Sequence, residues 1–247
     1  MKNPPLTIVL LALASIPISP HAVAADKLPA FNSIHTAGPD FAVQGEYVGT
    51  VGGTYPVGIQ VMALGNGAFE GIVHGGGLPG AGWDGRSRFY LKGQRDGKMT
   101  RLEGVHGERL KFPNQNFQAT IRDGQLTGNA LMFLNHARNP ALRCRRVLRT
   151  APTLGAKPPA DAVVLFDGST AKHFKGGRLE NGILREGVTS FRKFGDFHLH
   201  MEFKLNYAPA ARGQGRSNSG IYMQGRYEVQ ILDSFGLAGK HNECGGI

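Results

Sequence analysis

Glycine restricts the fold of this chain more than any other residue type. Thirty-six glycines are spread over 247 residues, about twice the average share of roughly 7%. A glycine inside a helix costs about 1 kcal/mol relative to alanine, which disfavours a helical bundle. Because the glycines follow no three-residue period and large apolar residues occur throughout, a collagen-like fibre and a disordered chain are also excluded. The composition therefore predicts an all-β protein with many tight turns.

The first 25 residues have the pattern of a targeting segment. Lys2 is the only charged residue before Asp26, and an apolar run at Ile8–Ala14 is followed by small residues at Ala22–Ala25. This order is typical of a secretory signal peptide. A membrane anchor needs about 20 apolar residues, which this run does not reach. We therefore expect residues 1–25 to be a signal peptide, no transmembrane segment, and an exported protein, periplasmic or extracellular.

A stretch rich in proline and alanine, residues 151–160, interrupts the alternating pattern and predicts a semi-rigid linker. It separates an N-terminal β-rich domain of unknown role, residues 26–150, from a C-terminal domain, residues 161–247.

Hairpin signals dominate the N-terminal region. Alternating apolar residues from Val57 to Ala63 precede the turn Gly65–Gly67, and Phe117–Asn129 contains a central Asp-Gly pair. Further strands are predicted at Ser87–Lys92, Met99–Val105 and Leu142–Leu148. These segments predict an antiparallel meander. The glycine-rich loop before Ser87 carries Trp83, which either stacks on a sugar ring or anchors its own loop.

The positive charge is concentrated in one place. The chain has a formal net charge of +10, and five arginines lie between Arg138 and Arg149 without an acid. One interpretation is an anion-binding strand with possible contact to an anionic polysaccharide. The other is an edge strand that like charges protect from aggregation. The sequence shows no nucleic-acid-binding motif.

The C-terminal region also has strand and turn patterns. We expect a buried strand at Val163–Ser169, a hairpin at Leu179–Arg185, a strand at Phe197–Leu205, and two more strands at Asn218–Gly225 and Arg226–Ser234. No helix of normal length is predicted, and the pattern indicates a β-sandwich.

The strand predicted at Phe197–Leu205 has one apolar and one polar face. His198, His200 and Glu202 share the polar face. Two imidazoles and a carboxylate in this spacing are able to hold a divalent metal such as zinc. Alternatively these side chains are simply solvated.

Five short motifs occur in a fixed order in the C-terminal region. They are Leu165–Ser169, Phe194–Leu199, Asn218–Ile221, Arg226–Asp233 and Cys244–Ile247. In this order they resemble the 3-keto-disaccharide hydrolase domain family. The resemblance covers only the C-terminal third of the chain. It implies a partial concanavalin A-like jelly-roll β-sandwich, commonly exported, that cleaves glycosides whose C3 hydroxyl is oxidised to a ketone.

The chemistry of such a substrate requires a base, because the ketone acidifies the hydrogen on C2. On the strand that begins after Arg226, Glu228 and Gln230 point to the same side, about 7 Å apart. We expect Glu228 to be the general base or a metal-binding carboxylate, with Gln230 and Asn218 orienting sugar hydroxyls. Substrate-binding residues sharing this face are predicted to include Tyr222 and Gln224. Alternatively Glu228 is a structural residue paired with an arginine such as Arg226.

Three functions remain open from the sequence. The first is an exported hydrolase, or lyase-type hydrolase, acting on 3-keto-glycosides, and the alternative is a non-catalytic carbohydrate-binding module. The third is an interaction protein whose basic N-terminal region docks on an anionic wall polymer. No cofactor is certain, and a divalent metal is possible. Since the family continues beyond the last motif, we expect the chain to be a fragment that lacks part of this domain and is itself inactive if the missing part is needed.

Overall fold

The computed structural model describes residues 28–105, 117–130 and 140–247. The predicted signal peptide lies outside these residues. The described chain is antiparallel β structure with one short α-helix, α1 (Pro39–Val43), and one 3₁₀ turn, Gly213–Gly215. The all-β prediction is confirmed. In the described part of the chain, no helix has the length and apolar character needed to cross a membrane.

Eight strands of the N-terminal region form a closed barrel. In chain order they are β1 (Gly45–Val51), β2 (Tyr55–Gly65), β3 (Ala68–Gly75), β4 (Arg88–Asp96), β5 (Met99–Gly104), β6 (Phe117–Arg122), β7 (Gln125–Ala130) and β8 (Ala141–Val147). Each strand pairs antiparallel with the next, and β8 pairs with β1 to close the ring. The predicted antiparallel meander is therefore present, and its last strand pairs with its first.

The barrel interior is the hydrophobic core. Alternate residues of each strand point inward, and the inward side chains include Tyr47, Phe69, Phe117 and Leu142, all fully buried. An eight-stranded barrel leaves an interior that side chains can fill. The interior of this barrel is therefore filled by side chains, and its outer surface is the part that other molecules can contact.

The predicted hairpin turns are confirmed. Asn66 and Gly67 connect β2 to β3 with φ of 54° and 74°, and Asp123 and Gly124 connect β6 to β7 with φ of 49° and 73°. Two successive positive φ angles favour Asn-Gly and Asp-Gly in tight hairpins. The identity of the turn residues therefore determines both connections.

The arginine-rich strand is not at an edge. Strand β8 is paired with β1 on one side and β7 on the other. The edge-strand interpretation is wrong because closing a sheet into a barrel removes its edges. Arg138 lies outside the described residues.

The glycine-rich loop folds back onto the outside of the barrel. Trp83 donates from Nε1 to the carbonyl of Ser87 at 3.0 Å, and the Arg88 guanidinium lies 4.4 Å from its ring centroid. Its ring also meets His74 edge-on at 5.2 Å. His74 is buried, and burial lowers its pKa to about 4. These contacts agree with the anchoring interpretation of Trp83.

The C-terminal region forms three two-stranded ladders. They pair β9 (Phe174–Lys175) with β12 (Thr189–Ser190), β10 (Leu179–Glu180) with β11 (Ile183–Leu184), and β13 (Asn218–Met223) with β14 (Tyr227–Leu232). The predicted hairpin at Leu179–Arg185 and the last two predicted strands are confirmed. Among residues 161–247 these ladders do not assemble into the two packed sheets of a jelly roll.

Two predicted strands in this region are wrong. Val163–Ser169 and Phe197–Leu205 belong to no ladder. Four apolar side chains of the second segment, Phe197, Leu199, Met201 and Phe203, are 41–51% exposed. The alternating pattern is present, but a strand also needs a neighbouring strand to bond with its backbone. The described residues place none beside these segments.

The C-terminal region contacts the barrel and the segment before it. Phe31 and Tyr207 exchange backbone hydrogen bonds of 2.8 and 2.9 Å, and Tyr207 packs edge-on against Phe41 at 5.0 Å. Arg212 donates to the carbonyl of Leu64 at the end of β2. The two regions therefore share an interface beyond their chain connection.

Candidate functional site

The hairpin of β13 and β14 brings the predicted polar residues onto one face. The register pairs Tyr222 with Glu228, Gly220 with Gln230, and Asn218 with Leu232. Since directly opposite residues of a ladder project to the same side, Asn218, Tyr222, Glu228 and Gln230 share this face. We call this set, with Gly220, the hairpin face.

Glu228 and Tyr222 interact directly on the hairpin face. Tyr222 is hydrogen-bonded to Glu228, and this bond, together with the charge of Glu228, raises the pKa of the Tyr222 phenol. Tyr222 is exposed, and Glu228 is half-buried. The alternative partner, Arg226, forms no ion pair with Glu228 among the residues the structure describes. The hydrogen-bond partner of the Glu228 carboxylate is thus the neutral phenol of Tyr222.

Gly220 makes room for the Glu228 carboxylate. A Cβ at position 220 would overlap Oε1 of Glu228 and would lie 2.7 Å from its Cδ and Cγ. Any side chain here would displace the carboxylate from its present position. The glycine of the Asn-Ser-Gly-Ile motif is therefore part of the site.

Gln214 connects the parts of the site through amide hydrogen bonds. Its Oε1 accepts from Asn218 Nδ2 at 3.0 Å and from Gln230 Nε2 at 3.1 Å. Its own Nε2 donates to the carbonyl of Asn242 at 2.5 Å. One side chain of the 3₁₀ turn therefore fixes two amides of the hairpin face and the segment after β14.

That later segment lies along the outer side of β14. Gln230 donates its backbone N–H to Gly246, and Gly245 donates to Gln230, at 2.9 and 2.8 Å. A cleft of about 280 Å³ opens between this segment and β14. Its lining includes Arg226, Glu228, Gln230, His241 and Asn242. The Glu228 carboxylate is thus next to a cleft and is not covered by a second layer.

The Oε1 atom of Gln230 is buried without a hydrogen-bond partner among the described residues. A buried acceptor without a donor costs free energy.

Gln224 lies elsewhere. With Gly225 and Arg226 it forms the three-residue turn between β13 and β14, at φ of 53° for Gln224 and 66° for Gly225, and Gln224 is exposed. The prediction that Gln224 shares the hairpin face is wrong, because the chain reverses at this residue.

The three predicted metal ligands do not converge. His200 and Glu202 approach to 3.5 Å, but Glu202 accepts a hydrogen bond from the backbone N–H of Gly155. In residues 28–105, 117–130 and 140–247, no group of three His, Cys, Asp or Glu side chains is arranged to hold a metal. The strand that would have aligned His198 with them is not formed, so this arrangement does not fit the predicted metal.

Two functional candidates, Gly220 and Gln214, are not predicted by the sequence pattern. Gly220 stands inside the Asn218–Ile221 motif, but its role depends on where Glu228 places its carboxylate. Gln214 lies in a polar loop whose composition is that of an ordinary connection. No local pattern marks either residue.

The site coincides with a region of family similarity. Residues 161–247 match the family model described as a 3-keto-alpha-glucoside-1,2-lyase-like domain. All residues of the hairpin face and its cleft lie within this range. No curated protein and no solved structure matches the chain. The resemblance to the 3-keto-disaccharide hydrolase family is thus confirmed for residues 161–247, and it indicates a carbohydrate-related function.

Proposed function

We propose that this protein is an exported enzyme that cleaves 3-keto-glycosides, with Glu228 as the general base. The observation that carries the proposal is the Glu228 carboxylate, half-buried at an open cleft and hydrogen-bonded by Tyr222 within the family-matched region. Export rests on the signal-peptide pattern of residues 1–25.

The reaction begins at the carbon next to the ketone. Glu228 removes the proton from C2, and the electron pair of the C–H bond moves toward C3 to form an enolate. Arg226 lines the same cleft, and in this proposal its guanidinium stabilises the negative charge on the enolate oxygen.

The enolate then drives bond cleavage. Its electron pair returns to form a C1–C2 double bond, the C1–oxygen bond breaks, and the leaving sugar takes the proton that Glu228 removed from C2. Water then adds across the double bond to give the 3-keto sugar. This route needs one base, whereas ordinary glycosidases need a pair of carboxylates.

Tyr222 and the amides position the reacting groups. The Tyr222 phenol donates a hydrogen bond to the Glu228 carboxylate and fixes its orientation, and this contact raises the pKa of the phenol. Asn218 and Gln230, held by Gln214, present amide groups to sugar hydroxyls.

The test of the base is Glu228→Gln, which keeps the shape and removes the proton acceptor. We expect turnover of a chromogenic 3-keto-glycoside to fall by about 10²–10⁴-fold, the usual contribution of a general base. Exchange of the C2 hydrogen with D₂O should fall in parallel. Glu186→Gln, an exposed glutamate of the same region, is the matched control and should keep both activities. Wild-type exchange in Glu228→Gln would remove this residue from the mechanism.

The amide groups of the site favour a second function, a non-catalytic sugar-binding module. Gln214, Asn218 and Gln230 form a hydrogen-bonded set that recognises hydroxyls without any chemistry. Calorimetry separates the two functions. A module binds sugars with no turnover and no C2 exchange in the unmodified protein.

A further inference from the structure

The outer surface of strands β6, β7 and β8 carries only neutral and positive side chains. Its ten outward positions are Gln118, Thr120, Arg122, Gln125, Thr127, Asn129, Ala141, Arg143, Arg145 and Val147. We call these residues, together with Arg101 on β5, the cationic barrel face. Its arginines do not belong to the hairpin face, so a role for this surface is independent of the proposed reaction.

The register arranges the arginines in two rows across the strands. One row runs from Arg145 through Gln125 to Arg122. The next row runs from Arg143 through Thr127 and Thr120 to Arg101. With strands about 4.8 Å apart, the longer row spans about 14 Å, and the rows lie about 7 Å apart. The guanidinium groups therefore surround a patch of hydroxyl and amide side chains.

Some arginines of the arginine-rich run bind other residues of the protein, and others form no ion pair with the described residues. Arg146 donates to the carbonyl of Gln44 at 2.7 Å, and Arg149 pairs with Glu46. Arg143 and Arg145 are exposed and form no ion pair with any residue that the structure describes. Two positive charges thus face outward without an ion-pair partner in the described part of the chain.

The other two arginines of the face have weak partners. Arg101 pairs with Asp96 at 3.1 Å and Arg122 with Asp123 at 3.8 Å, and all four side chains are more than 60% exposed. Exposed pairs of this kind contribute about 0–1 kcal/mol. A ligand carboxylate can therefore replace the aspartates at little cost.

We propose that the cationic barrel face binds an anionic polysaccharide that carries carboxylate groups. Arginine pairs with a carboxylate through two parallel hydrogen bonds. The threonine and glutamine side chains between the arginines match the hydroxyls of the sugar rings.

Other anionic macromolecules fit this face less well. None of the ten outward positions is aromatic, so bases of a single-stranded nucleic acid would have no ring on which to stack. Val147, half-buried at the end of β8, is the largest apolar residue among them, so the face has no large exposed apolar side chain to insert into a lipid surface. The carbohydrate-related match elsewhere in the chain also favours a polysaccharide.

The test compares two double variants that lose the same charge. Arg143→Gln with Arg145→Gln changes the face, while Arg86→Gln with Arg192→Gln removes two exposed arginines elsewhere. We expect the unmodified chain to bind polygalacturonate, and we expect the first variant to bind about tenfold more weakly because two exposed charge pairs are lost. The control should bind within about twofold of the unmodified chain. Binding should weaken with salt, less steeply in the first variant.

Further measurements fix the chemistry. Neutral dextran should not bind, and Arg143→Lys with Arg145→Lys should bind with intermediate affinity because lysine keeps the charge and loses the paired hydrogen bonds. Thermal unfolding confirms that every variant is folded. The proposal is overturned if polygalacturonate does not bind, if both double variants weaken binding equally, or if single-stranded DNA or anionic vesicles bind more tightly than the polysaccharide.

Discussion

Gly220 has no side chain, and this leaves the space that the carboxylate of the candidate base Glu228 occupies. Glu228 folds over the backbone of Gly220, where no Cβ blocks it, and receives the hydrogen bond of Tyr222. The backbone of Gly220 is not at positive φ. The glycine is therefore needed for the space above it and not for its backbone freedom.

Gly220→Ala tests this role. The flexible Glu228 side chain can move aside, so we expect the melting temperature to change little, while turnover of a 3-keto-glycoside falls by about tenfold or more from misplacement of the base. Gly195→Ala is the control, since a Cβ there meets nothing within 4 Å. Unchanged kcat in Gly220→Ala would show that the observed carboxylate position does not matter for catalysis.

At the scale of elements, the β13–β14 hairpin has an unfavourable turn residue. Gln224 adopts φ of 53°, a conformation that costs most L-residues about 1–2 kcal/mol and that asparagine adopts more readily. Asn181, at φ of 52° in the turn between β10 and β11, shows the favourable choice in the same region. Both turns begin with a residue at positive φ that is followed by a glycine.

Exchanging these turn residues should have opposite effects. We expect Gln224→Asn to stabilise the protein by about 0.5 kcal/mol and Asn181→Gln to destabilise it by a similar amount, measured by urea unfolding. Gln224→Asn should also keep full activity, since the turn lies beyond the hairpin face. A clear rise in KM would restore Gln224 as a substrate-binding residue.

At the scale of the whole molecule, an aromatic contact joins the C-terminal region to the N-terminal segment. Tyr207 is 8% exposed and packs against Phe31 and Phe41, with ring centroids 6.1 and 5.0 Å away. Its hydroxyl is buried without a partner among the described residues, and burial raises its pKa. The ring therefore stabilises this contact, and the hydroxyl does not.

Three variants separate ring from hydroxyl. Tyr207→Ala should lower the free energy of unfolding by about 3–5 kcal/mol, and Tyr207→Phe should leave it unchanged or raise it. Tyr47→Phe is the comparison, because the Tyr47 hydroxyl donates to the Val43 carbonyl at 2.7 Å, and its loss should cost about 1 kcal/mol. Calorimetry measures all three. Equal destabilisation by Tyr207→Phe and Tyr207→Ala would mean that the hydroxyl has a partner.

The sequence by itself determined the local features. Asn66-Gly67, Asp123-Gly124 and Asn181-Gly182 turn the chain at the predicted positions, because the φ angles of a tight hairpin select these residues. Alternation within β13 and β14 likewise determined which side chains share a face, namely Asn218 and Tyr222 on β13 and Glu228 and Gln230 on β14.

Only the tertiary structure decided which distant segments meet. Pairing of β8 with β1, reinforced by Arg146 donating to Gln44 across 102 positions, turned a predicted edge strand into a barrel wall. The alternation at Phe197–Leu205 predicted a strand, and no ladder forms there. Local preferences act through the torsion angles of neighbouring residues, whereas a ladder, a buried contact or the space above Gly220 depends on atoms that the chain brings from far away. A pattern along the sequence therefore predicts local torsion angles, but it does not predict which distant segments meet.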